Sequence, residues 1–462
     1  MEHKYNRIMD AFRSDIESGV IRPGEKLPSI RELTARFACS KNTAIRAYEG
    51  LEKEHLVYSV AKSGYYAVVR PASSRGADAG KGIDFSSAAP DPAVMPYEDF
   101  RHCMNRAIEL YKDRLFTYSD PQGFGSLRQA LRRHLADGQV FAGPEQISVV
   151  SGSQQALHLL AGMPFPNGKQ VVLVEQPTYP GMLRSLELLG VTVIGIARTD
   201  QGIDLEELER HFRSNPIKFF YTVPRFHNPL GTSYSQTEKE RIAQLAAAYD
   251  VYIVEDDYIA DLETDHRADP IYSYSDTGHV IYVKSFSKVM LPGLRLAVAV
   301  LPKALIETFR LFKASTDSST AALSQAALEL YLNCGMYGRH ALNMQARYRS
   351  RMEALNSACK RHLPEEARIH VPKAGLFSRL LLPGCLPASD IGAQLKQQGI
   401  FTVPTDRCYL PAFPKDNGLR VSIIRTNESQ IEEGIERIGR VVRKRLRHKP
   451  PLKWDPVIDW LE

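Results

Sequence analysis

The chain has 462 residues, too many for one ordinary core, so two or three domains are expected. Its 44% hydrophobic and 24% charged content is that of globular protein, and its formal charge of +6 permits an acidic partner without demanding one. No apolar run reaches the roughly 18 residues of a membrane helix. Met1-Glu2-His3-Lys4-Tyr5 lacks the apolar stretch of a secretory signal. The six scattered cysteines form no CxxC pair and no even framework, which fits a reducing cytoplasm.

Residues 5–18 place Ile8, Met9, Phe12 and Ile16 at helical spacing, and Pro23-Gly24 then turns the chain. Ser29, with Glu32 three residues on, forms a capping box for a helix running to Phe37. After a break at Ala38-Cys39-Ser40, Ser40 caps a second helix from Lys41 to Glu54. Two short helices joined by so short a turn have helix-turn-helix geometry. Strand-like residues 56–60 and 65–69, with Lys62-Ser63-Gly64 at the tip, read as a wing. The second helix of such a pair enters the major groove by its N-terminal residues, here Lys41, Asn42 and Thr43, with Arg46 a turn later. Lysine and arginine reach phosphates or guanine edges, and asparagine reaches adenine. Arg31 could hold a phosphate; Lys62 and Gly64 could meet the backbone or minor groove. Residues 1–70 hold 12 Lys/Arg against 9 Asp/Glu, so charge alone does not mark a DNA binder. A small helical adaptor with a solvated basic face is the alternative.

Pro23-Gly-Glu-Lys-Leu-Pro-Ser-Ile-Arg-Glu-Leu33, Ser40-Lys-Asn-Thr and Ala47-Tyr-Glu-Gly-Leu51 resemble the winged helix-turn-helix of GntR-type bacterial regulators over nearly all of residues 3–69. The resemblance implies that Arg31, Lys41, Asn42, Thr43, Arg46 and Gly64 meet DNA.

Residues 70–82 carry no bulky apolar side chain and are expected to be a flexible linker. From 83 to about 446, strands at 147–150, 171–175, 191–196, 218–223, 251–255 and 280–283 alternate with helices such as 154–162 and 237–249. That alternation predicts an α/β domain with a largely parallel sheet. There is no internal repeat. The basic run at 440–449 is either the solvated face of the last helix or a source of non-specific DNA affinity.

Ser285-Phe286-Ser287-Lys288, after a strand and before Pro292-Gly293-Leu294-Arg295, is the strongest chemical signal. A lysine amine can form an aldimine with pyridoxal 5′-phosphate (PLP), while Ser285, Ser287 and Arg295 are the types that hold its phosphate. Alone, Ser-x-x-Lys would be a surface lysine. Lys284 is the nearest rival, but it lies in the strand and lacks the following Pro-Gly-x-Arg. Asp256, at a strand's C-terminal end, would face the ligand crevice and could pair with the pyridine nitrogen. Tyr258 could donate to the ring oxygen. Capping of the next helix is the alternative, stronger for Asp257 than for Asp256. Asn228, in His227-Asn228-Pro229-Leu-Gly231, could serve the same ring oxygen or mark an ordinary turn. Gly152, Ser153 and Gln154 open a helix whose first amides make an anion site. Tyr179 could stack on the ring or edge the core.

Taken in order, Tyr118-x-Asp-Pro-x-Gly, Ser151-Gly-Ser, Tyr179, Asn228-Pro, Asp256-x-Tyr258, Ser285-x-Ser-Lys288, Arg295 and Leu419-Arg420 resemble fold type I aminotransferases over roughly residues 83–446. The resemblance implies that Tyr118 reaches a phosphate across a dimer interface and that Arg420 clamps an amino-acid carboxylate. The two halves together look like the MocR/GabR family of bacterial transcription regulators. That likeness implies a multidomain fold: a winged helix-turn-helix (1–69), the linker, an α/β aminotransferase-like PLP domain with a smaller C-terminal α+β subdomain (83–446), and a tail (447–462). It implies a cytoplasmic homodimer, often head-to-tail, in which PLP or a PLP–amino acid adduct at Lys288 changes binding to double-stranded operator DNA. No metal site is expected. A working aminotransferase with an accessory DNA-binding domain is the alternative. GABA-responsive members carry an arginine two residues after the stacking tyrosine. Here that position is Gly181, with Arg184 the nearest guanidinium, so an α-amino acid at Arg420, or PLP itself, is the expected effector.

Overall fold

The computed structural model describes residues 4–22, 24–54, 56–60, 63–67, 82–265 and 268–447. The chain divides into two compact units, residues 1–81 and 82–462.

The first unit runs α1 (Lys4–Glu17), α2 (Ile30–Arg36), α3 (Lys41–Lys53), then β1 (Val57–Val60) paired antiparallel with β2 (Gly64–Ala67). The helix starts follow from their caps. Glu32 N donates to Ser29 Oγ at 3.2 Å, and Ser29 N donates back to the Glu32 carboxylate at 2.7 Å. Thr43 N donates to Ser40 Oγ at 3.2 Å, opening α3 at Lys41. Phe12, Leu33, Ala47, Tyr48 and Leu51 fill the core, and the rings of Tyr48 and Tyr65 stack at 4.3 Å. Of the expected wing, Lys62, Val68 and Val69 lie outside the described residues, as do 70–81 of the expected linker and 448–462 of the expected tail.

The second unit opens with β3 (Ile83–Asp84), α4 (Tyr97–Tyr111) and α5 (Gly125–Ala136). It continues with β4 (Ile147–Val150), α6 (Ser153–Gly162), β5 (Val171–Gln176), α7 (Pro180–Leu188), β6 (Val193–Thr199), β7 (Gly202–Ile203) and α8 (Leu205–Ser214). Next come β8 (Ile217–Thr222), α9 (Gln236–Ala248), β9 (Tyr252–Asp256), β10 (Val280–Ser285), β11 (Ala297–Val300) and the helices α10 (Ile306–Asp317), α11 (Ala322–Asn333) and α12 (Met336–His362). It closes with β12 (Arg368–His370), β13 (Phe377–Leu381), α13 (Ala388–Gln397), β14 (Ile400–Phe401), β15 (Val403–Pro404), β16 (Gly418–Ser422) and α14 (Glu428–Arg447).

Eight strands form one sheet in the order β4-β11-β10-β9-β8-β5-β6-β7. Its centre, β10 to β6, is parallel. Every residue of β8 and β10 is buried, as strands covered on both faces require, which is why they read as apolar runs. Two details differ from the sequence reading. β11, antiparallel to both neighbours, was not among the expected strands; its four residues alternate only Ala and Val and are too short to stand out. β10 runs on through Ser285 because its last residues pair with β11.

The C-terminal part is the expected smaller α+β layer: an antiparallel sheet β12-β13-β16-β15 with α12, α13 and α14. The beginning of the unit joins it, since β3 pairs in parallel with β14. α14 buries Ile431, Ile435, Ile438 and Val442, so Arg440, Lys444 and Arg445 of the basic run lie on its exposed face. Arg447, expected as the first tail residue, ends this helix. Among the described residues, no helix is long and apolar enough to cross a membrane, and no His/Cys/Asp/Glu group could hold a metal.

Candidate functional site

The C-terminal ends of the parallel strands form a crevice, the usual ligand position of such sheets. β9 delivers Asp256, β10 delivers Ser285 and then Lys288, the turn after β4 delivers Gly152, and the loops after β5 and β8 deliver Tyr179 and Asn228. Eleven residues singled out from sequence line one cavity of about 240 Å³: Ser153, Gln154, Tyr179, Asn228, Asp256, Tyr258, Ser285, Ser287, Lys288, Arg295 and Arg420. Ala88, Pro180 and Val223 complete it. Sequence reasoning missed them because none carries a reactive group.

Asp256 is buried, and its Oδ2 accepts a hydrogen bond from Tyr221 Oη at 2.9 Å. Its Oδ1 is buried without a hydrogen-bond partner among the described residues. Burial pushes the Asp256 carboxyl up to about 7; Tyr221 opposes the shift, Asp257 adds to it and Lys288 opposes it. Lys288 is pushed down to about 8, first by burial and then by Arg420, with Asp256 pulling the other way. The shift favours the uncharged, nucleophilic form of the Lys288 amine. Its Nζ donates to the carbonyl of Ala88 at 2.5 Å.

At one end of the cavity, α6 starts without a side-chain cap, and in its first turn Gln155 N donates to Gly152 O at 3.0 Å. Gly152 precedes it at φ +89°, and a Cβ there would lie 2.3 Å from Arg295 Nη2. Glycine therefore lets the guanidinium lie against the helix start. Gln154 Nε2 donates to Gly181 O and Ser185 Oγ, both at 2.9 Å.

At the other end, Arg420 of β16 donates from Nη1 to Asn228 Oδ1 at 3.3 Å and from Nη2 to Ser86 O at 2.7 Å. Its guanidinium lies 4.7 Å from the centre of the Phe377 ring, and its Nε is buried without a hydrogen-bond partner among the described residues. A guanidinium only donates, so Asn228 presents its oxygen there and keeps its NH₂ as a donor for a ligand. Tyr258 Oη donates to Phe226 O at 2.7 Å, which engages the proton that the sequence reading allots to a ring oxygen.

Two expected residues stand apart. Tyr118 is 93% exposed and does not line the cavity. Gly152 lies beside the lining rather than in it. The rival Lys284 points to the opposite face of β10 from Ser285, where its Nζ pairs with Asp261 at 2.6 Å. Tyr221 was also missed; it lies within the recognised strand 218–223, with no local sign that it serves Asp256.

In the first unit, Arg31, Lys41, Asn42 and Arg46 are exposed. Thr43 Oγ1 lies 2.9 Å from Ser40 Oγ, and Gly64 takes φ +123°.

Residues 83–438 match the family model "Aminotransferase class I and II", and residues 4–66 match "Bacterial regulatory proteins, gntR family". The chain belongs to the class I and II aminotransferase family, and it is a GntR-type regulator fused to that domain, the MocR/GabR-type architecture. It is 47% identical over 437 residues to the uncharacterized HTH-type transcriptional regulator YcxD of Bacillus subtilis, covering 94% of this chain and 98% of the relative. Among solved structures it is similar to Pyrococcus horikoshii kynurenine aminotransferase in complex with PMP, with a TM-score of 0.74, 27% identity, and coverage of 80% of this chain and 93% of that one. It is likewise similar to the α-aminoadipate aminotransferase LysN of Thermus thermophilus, complexed with N-(5′-phosphopyridoxyl)-L-leucine, with a TM-score of 0.73, 26% identity, and coverage of 79% and 93%.

Proposed function

We propose that this protein is a PLP-dependent transcription regulator that binds operator DNA as a homodimer and senses an amino-acid effector in the cavity around Lys288. The observation that carries the reading is the buried, unpartnered Oδ1 of Asp256 in the same cavity as an amine pushed down to about 8. An orphaned buried carboxylate oxygen is costly and calls for a donor from a ligand. A protonated pyridine nitrogen is such a donor.

When bound, PLP supplies an aldehyde that condenses with amines and a ring that withdraws electrons. The chain's residues would divide the remaining work. Asp256 would hold the ring nitrogen's proton, Tyr179 would lie against the ring, Asn228 would face its oxygen, and Tyr258 would donate to that oxygen only on releasing Phe226 O. Ser153, Ser285, Ser287, Arg295 and the first amides of α6 would hold the phosphate. Gly152 would leave room for Arg295, and Gln154 would brace the turn at Gly181. Tyr118, exposed in one copy, would complete the phosphate site of a second copy in a head-to-tail dimer.

Arg420 would take the effector's carboxylate, a bidentate task for which its fork is suited. A side chain at Gly181 would meet Gln154 Oε1 at 2.4 Å and Tyr179 Cε1 at 2.5 Å. That crowding supports an α-amino acid rather than an effector read by a cation at that position. Arg31, Lys41, Asn42, Thr43, Arg46, Lys62 and Gly64 would meet DNA, in the cytoplasm. Effector binding favours one arrangement of the dimer and so changes operator affinity.

Purified protein should show the visible absorbance of bound PLP, and Lys288→Ala should abolish it. A colourless wild type that takes up no added PLP overturns the reading. The second reading, a working aminotransferase, draws support from a cavity that holds every group such an enzyme uses. Steady turnover of about 1 per second or faster with a common amino acid would establish it.

A further inference from the structure

A buried polar cluster adjoins the two loops that bring Tyr179 and Asn228 to the cavity, yet none of its polar side chains lines that cavity. Glu175, the fifth residue of β5, is its centre. Glu175 Oε1 accepts from Arg198 Nη1 of β6, from Thr222 Oγ1 at 2.7 Å and from Tyr234 Oη. Oε2 accepts from Val223 N at 3.0 Å and lies 3.2 Å from His227 Nε2. Arg198 also donates to Val223 O at 3.2 Å, and its guanidinium lies 3.6 Å from the centre of the Tyr234 ring. A buried ion pair is weak as a source of stability, because desolvating both charges offsets their attraction. Its position is more telling. Tyr179 lies four residues beyond Glu175, and Asn228 follows His227 directly.

His227 is fixed from every side. Its N–H donates to Thr232 O at 2.8 Å, its carbonyl accepts from Gly231 N at 2.6 Å, and its Nδ1 accepts from Leu230 N at 3.4 Å. With Nδ1 an acceptor, the ring hydrogen sits on Nε2, which lies 3.2 Å from Glu175 Oε2 but is not aligned for a hydrogen bond to it. Burial and Arg198 push His227 down to about 4 against the pull of Glu175, with Arg379 as a further opposing charge. The ring is therefore neutral at physiological pH, and its orientation is set.

We propose that His227 and Glu175 are positioning residues, whose contact places the Asn228 amide so that its NH₂ meets the ring oxygen of the bound cofactor. This rests on the cofactor reading above. Arg420 fixes which way the Asn228 amide faces; the His227–Glu175 contact fixes where its backbone stands.

The test uses the full-length, PLP-loaded protein and follows its visible absorbance against pH. A donor to the ring oxygen favours that oxygen's deprotonated form, so losing the donor raises the titration midpoint. Asn228→Ala calibrates the shift. His227→Ala should raise the midpoint by about one pH unit. Combining the two substitutions should add no more than Asn228→Ala alone, as expected of residues acting through one contact. His227→Gln, whose amide N–H can face the same carboxylate oxygen without charge, should restore the wild-type midpoint. Tyr234→Phe removes one donor to Glu175 at nearly constant volume and should move the midpoint the same way by less. It keeps the test open should His227→Ala not fold. A His227→Ala protein that melts earlier with its midpoint unmoved overturns the positioning role, as do two shifts that add in full. A wild type with no PLP band overturns the cofactor reading itself, and this inference with it.

Discussion

Arg420 Nη2 and the main-chain carbonyl of Ser86 meet at 2.7 Å, 334 residues apart in sequence. Ser86 lies two residues beyond β3, in a short stretch whose carbonyls draw three cations: Arg420 on Ser86, Lys288 on Ala88 and Arg425 on Ala89 at 3.1 Å. A carboxylate held at Arg420, as proposed, would compete with Ser86 for the same N–H groups and so would link effector binding to the packing of residues 86–89.

Arg420→Lys keeps the charge and loses the fork. We expect PLP absorbance to persist while affinity for α-amino acids falls about tenfold or more, the worth of one or two charge-assisted hydrogen bonds. Titration of the loaded protein by calorimetry checks this. An unchanged affinity removes Arg420 as the carboxylate site.

Asp256→Asn should reverse its effect on stability when the cofactor binds. Without a ligand, the folded carboxyl titrates at about 7 against an ordinary 3.8, so the folded state holds a proton that the unfolded chain has lost. This group's contribution to stability is present below about pH 4 and is lost as pH rises through about 7. Asparagine does not titrate. The ligand-free variant should therefore melt above wild type at pH 8 and close to it at pH 4. With PLP bound, wild type should melt higher at pH 8, because the ionised carboxylate then has a cation. Melting curves at both pH values, with and without PLP, decide the matter.

Lys284→Ala should leave PLP attachment intact. It removes one partner of the buried Asp261, which also accepts from Tyr337 Oη at 2.6 Å and lies 3.4 Å from His134 Nε2. A loss of about 3–5 kcal/mol is expected from stranding a buried charge. Denaturant unfolding measures that loss, and borohydride trapping of PLP followed by peptide mapping shows which lysine is labelled. Label that disappears with Lys284 would reassign the site.

DNA affinity should fall steeply with salt, as phosphate contacts release counterions. Arg46→Ala should cost about 1–3 kcal/mol on the operator and little on unrelated duplex if Arg46 reads a base. Lys41→Ala should weaken all sequences alike and lower the salt slope by about one if Lys41 holds a phosphate. Binding isotherms at three salt concentrations separate the two. Equal loss on every duplex for Arg46→Ala would make it a phosphate contact.

Features set by neighbours a turn or a strand away were legible in the sequence. Ser29 with Glu32, and Ser40 on its own, announced two helix starts, and the apolar runs announced β8 and β10. The types and order of the cavity's polar residues were legible for the same reason, since most lie at or just beyond a strand end, Arg420 within β16 being an exception. The tertiary fold decided what depends on strand order and on distant partners. Alternation along β10 sent Lys284 to Asp261 on one face and left Lys288, beyond the strand, for the cavity. The pairing of β3 with β14 brought Ser86 and Ala88, which carry no recognisable chemistry, up to Arg420 and Lys288. Glu175, Arg198 and His227 come from three separate segments and meet only because β5, β6 and β8 are neighbours in the sheet. A sequence states which groups a chain carries. Hydrogen-bond distance between groups tens or hundreds of residues apart is fixed only when the sheet closes.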